Sequence, residues 1–255
     1  MIQMTEIISI VSGKGGVGKT TLVSNLAVAL TRLGGKVLVI DGNVSGANLG
    51  IHLGVPSMYP VSLNDVLNRD AFITQAIYRH ASGFNVIPAS LNSLGANSNM
   101  LKHMLFDILG DYDHILIDAS AGVNKEMRSA LEASDSCIII TNPELPALSN
   151  ALLAKKEAQS LNIPIKGIVI NKSTEQKYEV SDKDITDFLE LPVIGKVKDH
   201  RKVRESIAIG KPILVHKPHN TSSFGIITIA HKISGIEPPK RTIIDSLKGF
   251  IDDIR

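Results

Sequence analysis

The sequence predicts one α/β domain: a mostly parallel, twisted sheet with helices on both faces. Short aliphatic runs alternate with amphipathic stretches along the chain. The runs are rich in Ile and Val and almost free of polar alternation, as strands buried on both faces are. A glycine-rich turn, SGKGGVGKT, joins the first run to the first helical stretch.

In order, the strand-like runs are residues 7–11, 36–40, 85–88, 114–117, 137–141, 167–170 and 193–197. Helical spacing falls between them at residues 20–33, 100–109, 125–132 and 147–161. Strand and helix in alternation imply crossover connections and hence a parallel sheet. At 255 residues the chain is long enough for one well-buried domain and short for two. The expected organisation is a main domain over residues 1–236, a linker over 237–241 and an amphipathic C-terminal helix over 242–255. Pro238 and Pro239 are expected to stop the last core helix.

Composition narrows the field. Apolar residues make up 44% and charged residues 20%, as in an ordinary globular protein. A net charge of +2 creates no global field that demands a nucleic acid or an anionic membrane. The one cysteine, Cys137 in the run SCIIIT, cannot form an internal disulfide and reads as a buried core thiol. His80, His103, His114, His200, His216 and His219 show no metal-binding spacing. With no secretory signal and no apolar run of the ~18–20 residues that span a bilayer, a cytoplasmic location is expected.

The turn carries the chemistry. SGKGGVGKT fits Gly-x-x-x-x-Gly-Lys-Thr with Gly13, Gly18, Lys19 and Thr20, and it lies between a strand and a helix, the context that confirms a P-loop. Glycines let backbone N–H groups turn toward phosphate oxygens, and the helix N-terminus adds its positive dipole end. The expected cradle is Gly13, Lys14, Gly15, Gly16, Val17, Gly18, Lys19, Thr20 and Thr21, with ATP and Mg2+ as ligands. Lys19 is expected at the β- and γ-phosphates, and the Thr20 hydroxyl on Mg2+.

Lys14, directly after Gly13, is more than one nucleotide needs. It makes the loop a deviant Walker A, Lys-Gly-Gly-x-Gly-Lys-Thr, and here the sequence resembles the MinD/ParA/Mrp family of dimerising P-loop ATPases. The resemblance covers nearly the whole chain. Asp41 in VLVIDGNVSGANLG matches the family's first switch, and YDHILIDASAG matches the second, with Asp118 and Gly122. TNPE at 141–144, Asn171 in GIVINK, and residues 195–213, which include Val197, match further family segments.

The resemblance implies an ATP-dependent homodimer in which Lys14 crosses to the partner's nucleotide. It also implies a magnesium ion at Thr20, Asp41 and Asp118, adenine held near Asn171 and Val197, and an activating partner protein. The bacterial Asp-x-Asp pattern is Asp41-Gly42-Asn43 here, so Asn43 can hold the attacking water but brings no charge. Slow hydrolysis is therefore expected, with Lys14, Lys19, Asp41 and Asn43 as the groups that carry it. Ser120 replaces the usual proline of the second switch, and Ala47 and Gly50 stand where bacterial MinD has Arg and Asp. In this the chain is more similar to the archaeal MinD-like branch.

Asn171-Lys172-Ser173-Thr174 lacks the carboxylate that a guanine signature has at its fourth place, so adenine is expected. A single cysteine excludes the iron–sulfur and nickel-binding relatives, which use cysteine pairs. Two outputs remain open. The tail places Ile243, Ile244, Leu247, Phe250, Ile251 and Ile254 on one stripe, as for peripheral contact with the inner face of the cell membrane. Asp245, Asp252 and Asp253 outnumber Lys248 and Arg255, however, which weakens attraction to anionic lipid. Residues 196–217 carry a net charge of +5 and could meet DNA phosphates without reading sequence. The expected function is a nucleotide-dependent spatial regulator, as in division-site or cargo positioning. The alternative is a soluble nucleotide-binding adaptor or a ParA-like, DNA-linked ATPase.

Overall fold

A computed structural model describes residues 5–55, 59–90 and 96–240, together with Thr242, Lys248, Gly249 and Asp252. The chain opens with β1 (Glu6–Ser12), α1 (Lys19–Arg32), β2 (Val37–Asp41), α2 (Leu49–Leu53) and α3 (Leu63–Leu67). It continues through β3 (Tyr78–Arg79), β4 (Asn85–Ile87), α4 (Leu101–Leu105), β5 (His114–Ala121), α5 (Lys125–Glu132) and β6 (Ser136–Thr141). Then come α6 (Leu145–Ser160), β7 (Ile165–Ser173), α7 (Asp182–Leu189), β8 (Val193–Lys198), α8 (Arg201–Ala208), α9 (Ile213–His216) and α10 (Thr221–Ile233).

The eight strands form one sheet in the order β3-β4-β2-β5-β1-β6-β7-β8, with every neighbouring pair parallel except β3 on β4. Successive strand residues point to opposite faces. Ile7 and Val11 join one core layer beneath α3 to α7, whereas Ile8 and Ile10 join the other beneath α1, α9 and α10. All seven runs read as strands are strands, and helices cover both faces as expected. Leu26 and Leu30 of α1 are almost wholly buried, each contributing about 2 kcal/mol of apolar burial, which seats the helix firmly behind the phosphate loop.

Three details depart from the reading of the sequence. The two-residue β3 is too short to leave a periodic signal. The helix expected over residues 100–109 stops at Leu105 and passes into a 3-10 turn, Phe106–Ile108. The last core helix is ended by glycine and not by the prolines: α10 stops at Ile233, and Gly235 takes a left-handed φ of 66° before Pro238 is reached. The expected C-terminal helix lies mostly outside the described residues; of those described, Asp252 reaches the body, accepting a hydrogen bond from the His219 N–H at 3.1 Å. Cys137 sits fully buried in β6, where burial pushes its thiol up to about 12.

Candidate functional site

The loop between β1 and α1 lies where β1, flanked by β5 and β6, delivers its C-terminal end. Gly16 and Gly18 take φ values of 76° and 99°, which L side chains rarely adopt. A Cβ on Gly18 would run into the Asn171 amide, and one on Gly13 into the Asn150 backbone of α6. Gly18 caps α1 without a side-chain hydrogen bond, and the first turn holds no acidic residue. The leading N–H groups and the positive end of the helix are thus left to an anion.

Lys19 opens α1, is 8% exposed, and donates from Nζ to Ser12 Oγ at 2.8 Å. Ser12 Oγ in turn donates to the Lys14 carbonyl at 2.8 Å, so the lysine is aimed by its own loop. Burial lowers the pKa of Lys19, and the Asp118 carboxylate works against that shift.

Asp41 ends β2 and Asp118 lies beside it within β5, the two being partners in the β2–β5 register. Asp41 Oδ2 accepts from the N–H groups of Asn48 and Leu49, both at 3.1 Å, and Oδ1 from that of Asn43 at 3.3 Å. Burial and then the Asp118 charge push Asp41 up to about 7. Burial likewise raises Asp118 to about 6, opposed by its Thr20 hydrogen bond and by Lys19. Asp118 Oδ1 is buried and has no hydrogen-bond partner. Two buried carboxylates, one orphaned oxygen and a hydroxyl form a hard-oxygen set that fits Mg2+, which needs only one or two carboxylates when phosphates and water complete its shell. Among the described residues no cluster of three His, Cys, Asp or Glu side chains forms a self-sufficient metal cage.

A cavity of ≈ 480 Å³ brings most of the expected residues together. Gly15, Gly16, Gly18, Lys19, Thr20 and Thr21 line it from the loop and α1, and Asn43, Asp118, Asn171 and Val197 from elsewhere. The other expected residues lie outside the lining. Val17 turns into the core, Asp41 is buried beside Asp118 on the neighbouring strand, and Gly13 packs on α6. Lys14 points to the surface, 3.8 Å from the Glu144 carboxylate.

The end of β7 straps the loop down. Asn171 Nδ2 donates to the Val17 carbonyl at 2.6 Å, and Lys172 Nζ to that of Gly16 at 2.7 Å. Sequence reasoning missed the part played by Lys172, because its adjacency to Asn171 raised only the question of guanine. The Glu179 carboxylate does lie beside Thr174, but it is taken up by the Thr174 N–H and hydroxyl and by the hydroxyl of Ser173 at 2.8 Å. Glu175, the other carboxylate of the turn, accepts from Lys198 Nζ at 2.6 Å, so both are already engaged.

Two further expectations meet local partners. The Asn43 amide donates to the Gly46 carbonyl at 2.5 Å, within its own loop. Ser120 donates to Asn124 Oδ1 at 2.7 Å, and Asn124 caps α5 by accepting from the Met127 N–H. The basic segment is partly neutralised: Lys196 pairs with Asp182, Lys198 with Glu175, Lys202 with Glu205 and Arg204 with Asp199. Asp182 and Glu175 lie outside that segment, so its sequence charge overstates its field.

Comparison with known proteins bears on this geometry. A family model described as an AAA domain matches residues 5–157. An uncharacterized ATP-binding protein of Methanocaldococcus jannaschii is 37% identical over 235 residues, covering 91% of this chain and 89% of its own length. The septum site-determining protein MinD of Synechocystis is 30% identical over 244 residues, covering 92% of each chain. The chain belongs to the MinD/ParA family. Its MinD-like character extends through the fold, since MinD of Pyrococcus horikoshii complexed with Mg-ADP matches with a TM-score of 0.86 at 30% identity, over 96% of this chain and 99% of that one. The higher identity to the archaeal protein than to Synechocystis MinD agrees with the archaeal-branch resemblance of the switch segments.

Proposed function

We propose that this MinD-like chain binds Mg-ATP in the cavity, hydrolyses it slowly, and uses the bound nucleotide to form a face-to-face homodimer. The observation that carries the reading is the unpartnered Asp118 Oδ1 beside Lys19 and Thr20, at the mouth of an uncapped helix. The N–H groups of Gly15 to Thr21 would hold the phosphates, and Lys19 would neutralise the β- and γ-phosphate oxygens. Thr20, Asp41 and Asp118 would hold Mg2+, which when bound offsets charge on the phosphoryl oxygens. Asn171 and Val197 face each other across the β7–β8 register and would flank the base. Asn43 would orient the attacking water, but only after giving up the Gly46 carbonyl, and this supports a low rate. Lys14 would swing from Glu144 to the partner's nucleotide.

In this reading the dimer is a spatial regulator in the cytoplasm, as in division-site or cargo positioning. It answers to an activating partner protein and docks peripherally at the inner face of the cell membrane through residues 242–255. Aquifex aeolicus MinD, which matches with a TM-score of 0.82, has been solved as a MinC:MinD complex, which supports a protein partner. No helix among the described residues is long and apolar enough to cross a membrane, so contact would be peripheral. The ion pairing of residues 196–217 counts against the DNA-linked alternative. The engaged Asn43 amide favours one second reading, a nucleotide-binding adaptor without useful turnover.

Phosphate release at saturating Mg-ATP separates the two. Slow release that rises in Asn43→Asp and vanishes in Lys19→Ala supports the ATPase. Tight ATP binding with no release above the Lys19→Ala background would leave the adaptor.

A further inference from the structure

The cavity holds a side chain that no motif accounts for. His52 lies on α2, just beyond the first switch, and its ring lines the cavity together with Arg204 and Ile207 of α8. A close backbone contact keeps α2 there. Gly54 and Gly210 are both left-handed, and a Cβ on Gly210 would lie 2.7 Å from the Gly54 Cα. A single methyl group would push the two segments apart, so the paired glycines set where His52 stands.

The state of the ring follows from its neighbour. His52 Nδ1 is 3.1 Å from the Asn48 carbonyl oxygen. A carbonyl can only accept, so Nδ1 carries the proton, and in the neutral ring Nε2 is left with a bare lone pair. Burial lowers the pKa of His52, with the Asn48 bond opposing, so the ring is neutral near pH 7. Phosphates bring acceptors and no donor, so an acceptor has no use at that end of a nucleotide. The nucleoside end brings donors: the ribose hydroxyls and the exocyclic amine of adenine.

We propose that His52 is a specificity contact for the nucleoside, its Nε2 accepting a hydrogen bond from a ribose hydroxyl or from the adenine 6-amino group. This deepens the proposed function and rests on ATP occupying the cavity. It would also tie the first switch, which carries α2, to recognition of the base and sugar.

The test is a set of affinities measured by calorimetry in Mg2+ for the full chain, His52→Ala and His52→Gln. The ligands are ATP, 2′-deoxy-ATP, 3′-deoxy-ATP and purine riboside triphosphate, which lacks the 6-amino group. His52→Ala should weaken ATP binding about threefold to tenfold, the scale of one neutral hydrogen bond. That penalty should vanish on the one analogue missing the donor, which tells hydroxyl from amine. His52→Gln keeps an acceptor and should recover part of the loss. Equal ATP affinity in wild type and His52→Ala, or a penalty of the same size on every ligand, would overturn the proposal while leaving ATP binding intact. If the wild type itself bound no ATP, the reading of the site would fall first.

Discussion

Replacing Lys14 by alanine separates the two lysines of the loop. Within one chain Lys14 does little: its ion pair with Glu144 spans 3.8 Å, with the side chains 32% and 61% exposed. Such a pair contributes about 0.5 kcal/mol or less, and Lys14 does not line the cavity. Stability and ATP affinity of Lys14→Ala should therefore stay close to wild type. Across a dimer the same lysine would make a charge-assisted bond to phosphate worth about 1.5–3 kcal/mol. Twofold symmetry repeats the contact, so its loss should cost about 3–6 kcal/mol, or roughly 10²- to 10⁴-fold in the dimer dissociation constant. Light scattering with a non-hydrolysable ATP analogue should show wild-type dimer and Lys14→Ala monomer. Calorimetry should show nucleotide bound to both and absent from Lys19→Ala. A Lys14→Ala dimer as tight as wild type, or a loss of nucleotide equal to that of Lys19→Ala, would refute the reasoning.

Gly18→Ala places a Cβ at φ 99° and against the Asn171 amide, and should lower unfolding stability by about 2 kcal/mol or more; an unchanged urea midpoint would contradict that geometry. Asp41 and Asp118 have folded values of about 7 and about 6, raised from 3.8, so the folded chain binds more protons than the unfolded one between these limits. In EDTA, stability should therefore fall as pH rises from about 4 to 7, by on the order of a few kcal/mol from this pair, and Asp41→Asn should flatten the decline; an identical slope in both proteins would exclude Asp41 as its source. Truncation after residue 241 should abolish ATP-dependent co-sedimentation with anionic liposomes, and co-sedimentation that survives truncation would rule out the tail as the membrane contact.

What the sequence determined on its own is what local chemistry controls. Gly13, Gly18, Lys19 and Thr20 are legible because a phosphate loop is made by consecutive backbone N–H groups and one helix terminus. The parallel sheet is legible because strands buried on both faces need unbroken apolar runs. Asp41 and Asp118 are legible as carboxylates at the ends of such runs, where open α/β sheets carry their sites. Only the tertiary structure decided which distant groups meet that loop. Asn171 and Lys172 hold the carbonyls of Val17 and Gly16 across more than 150 residues of chain. The basic segment loses part of its field to Glu175 and Asp182, which no count within that segment includes. His52 reaches the cavity because two glycines far apart in sequence let α2 and α8 touch. Periodicity reports which face of an element is buried, whereas the partner it is buried against follows from how the whole chain closes.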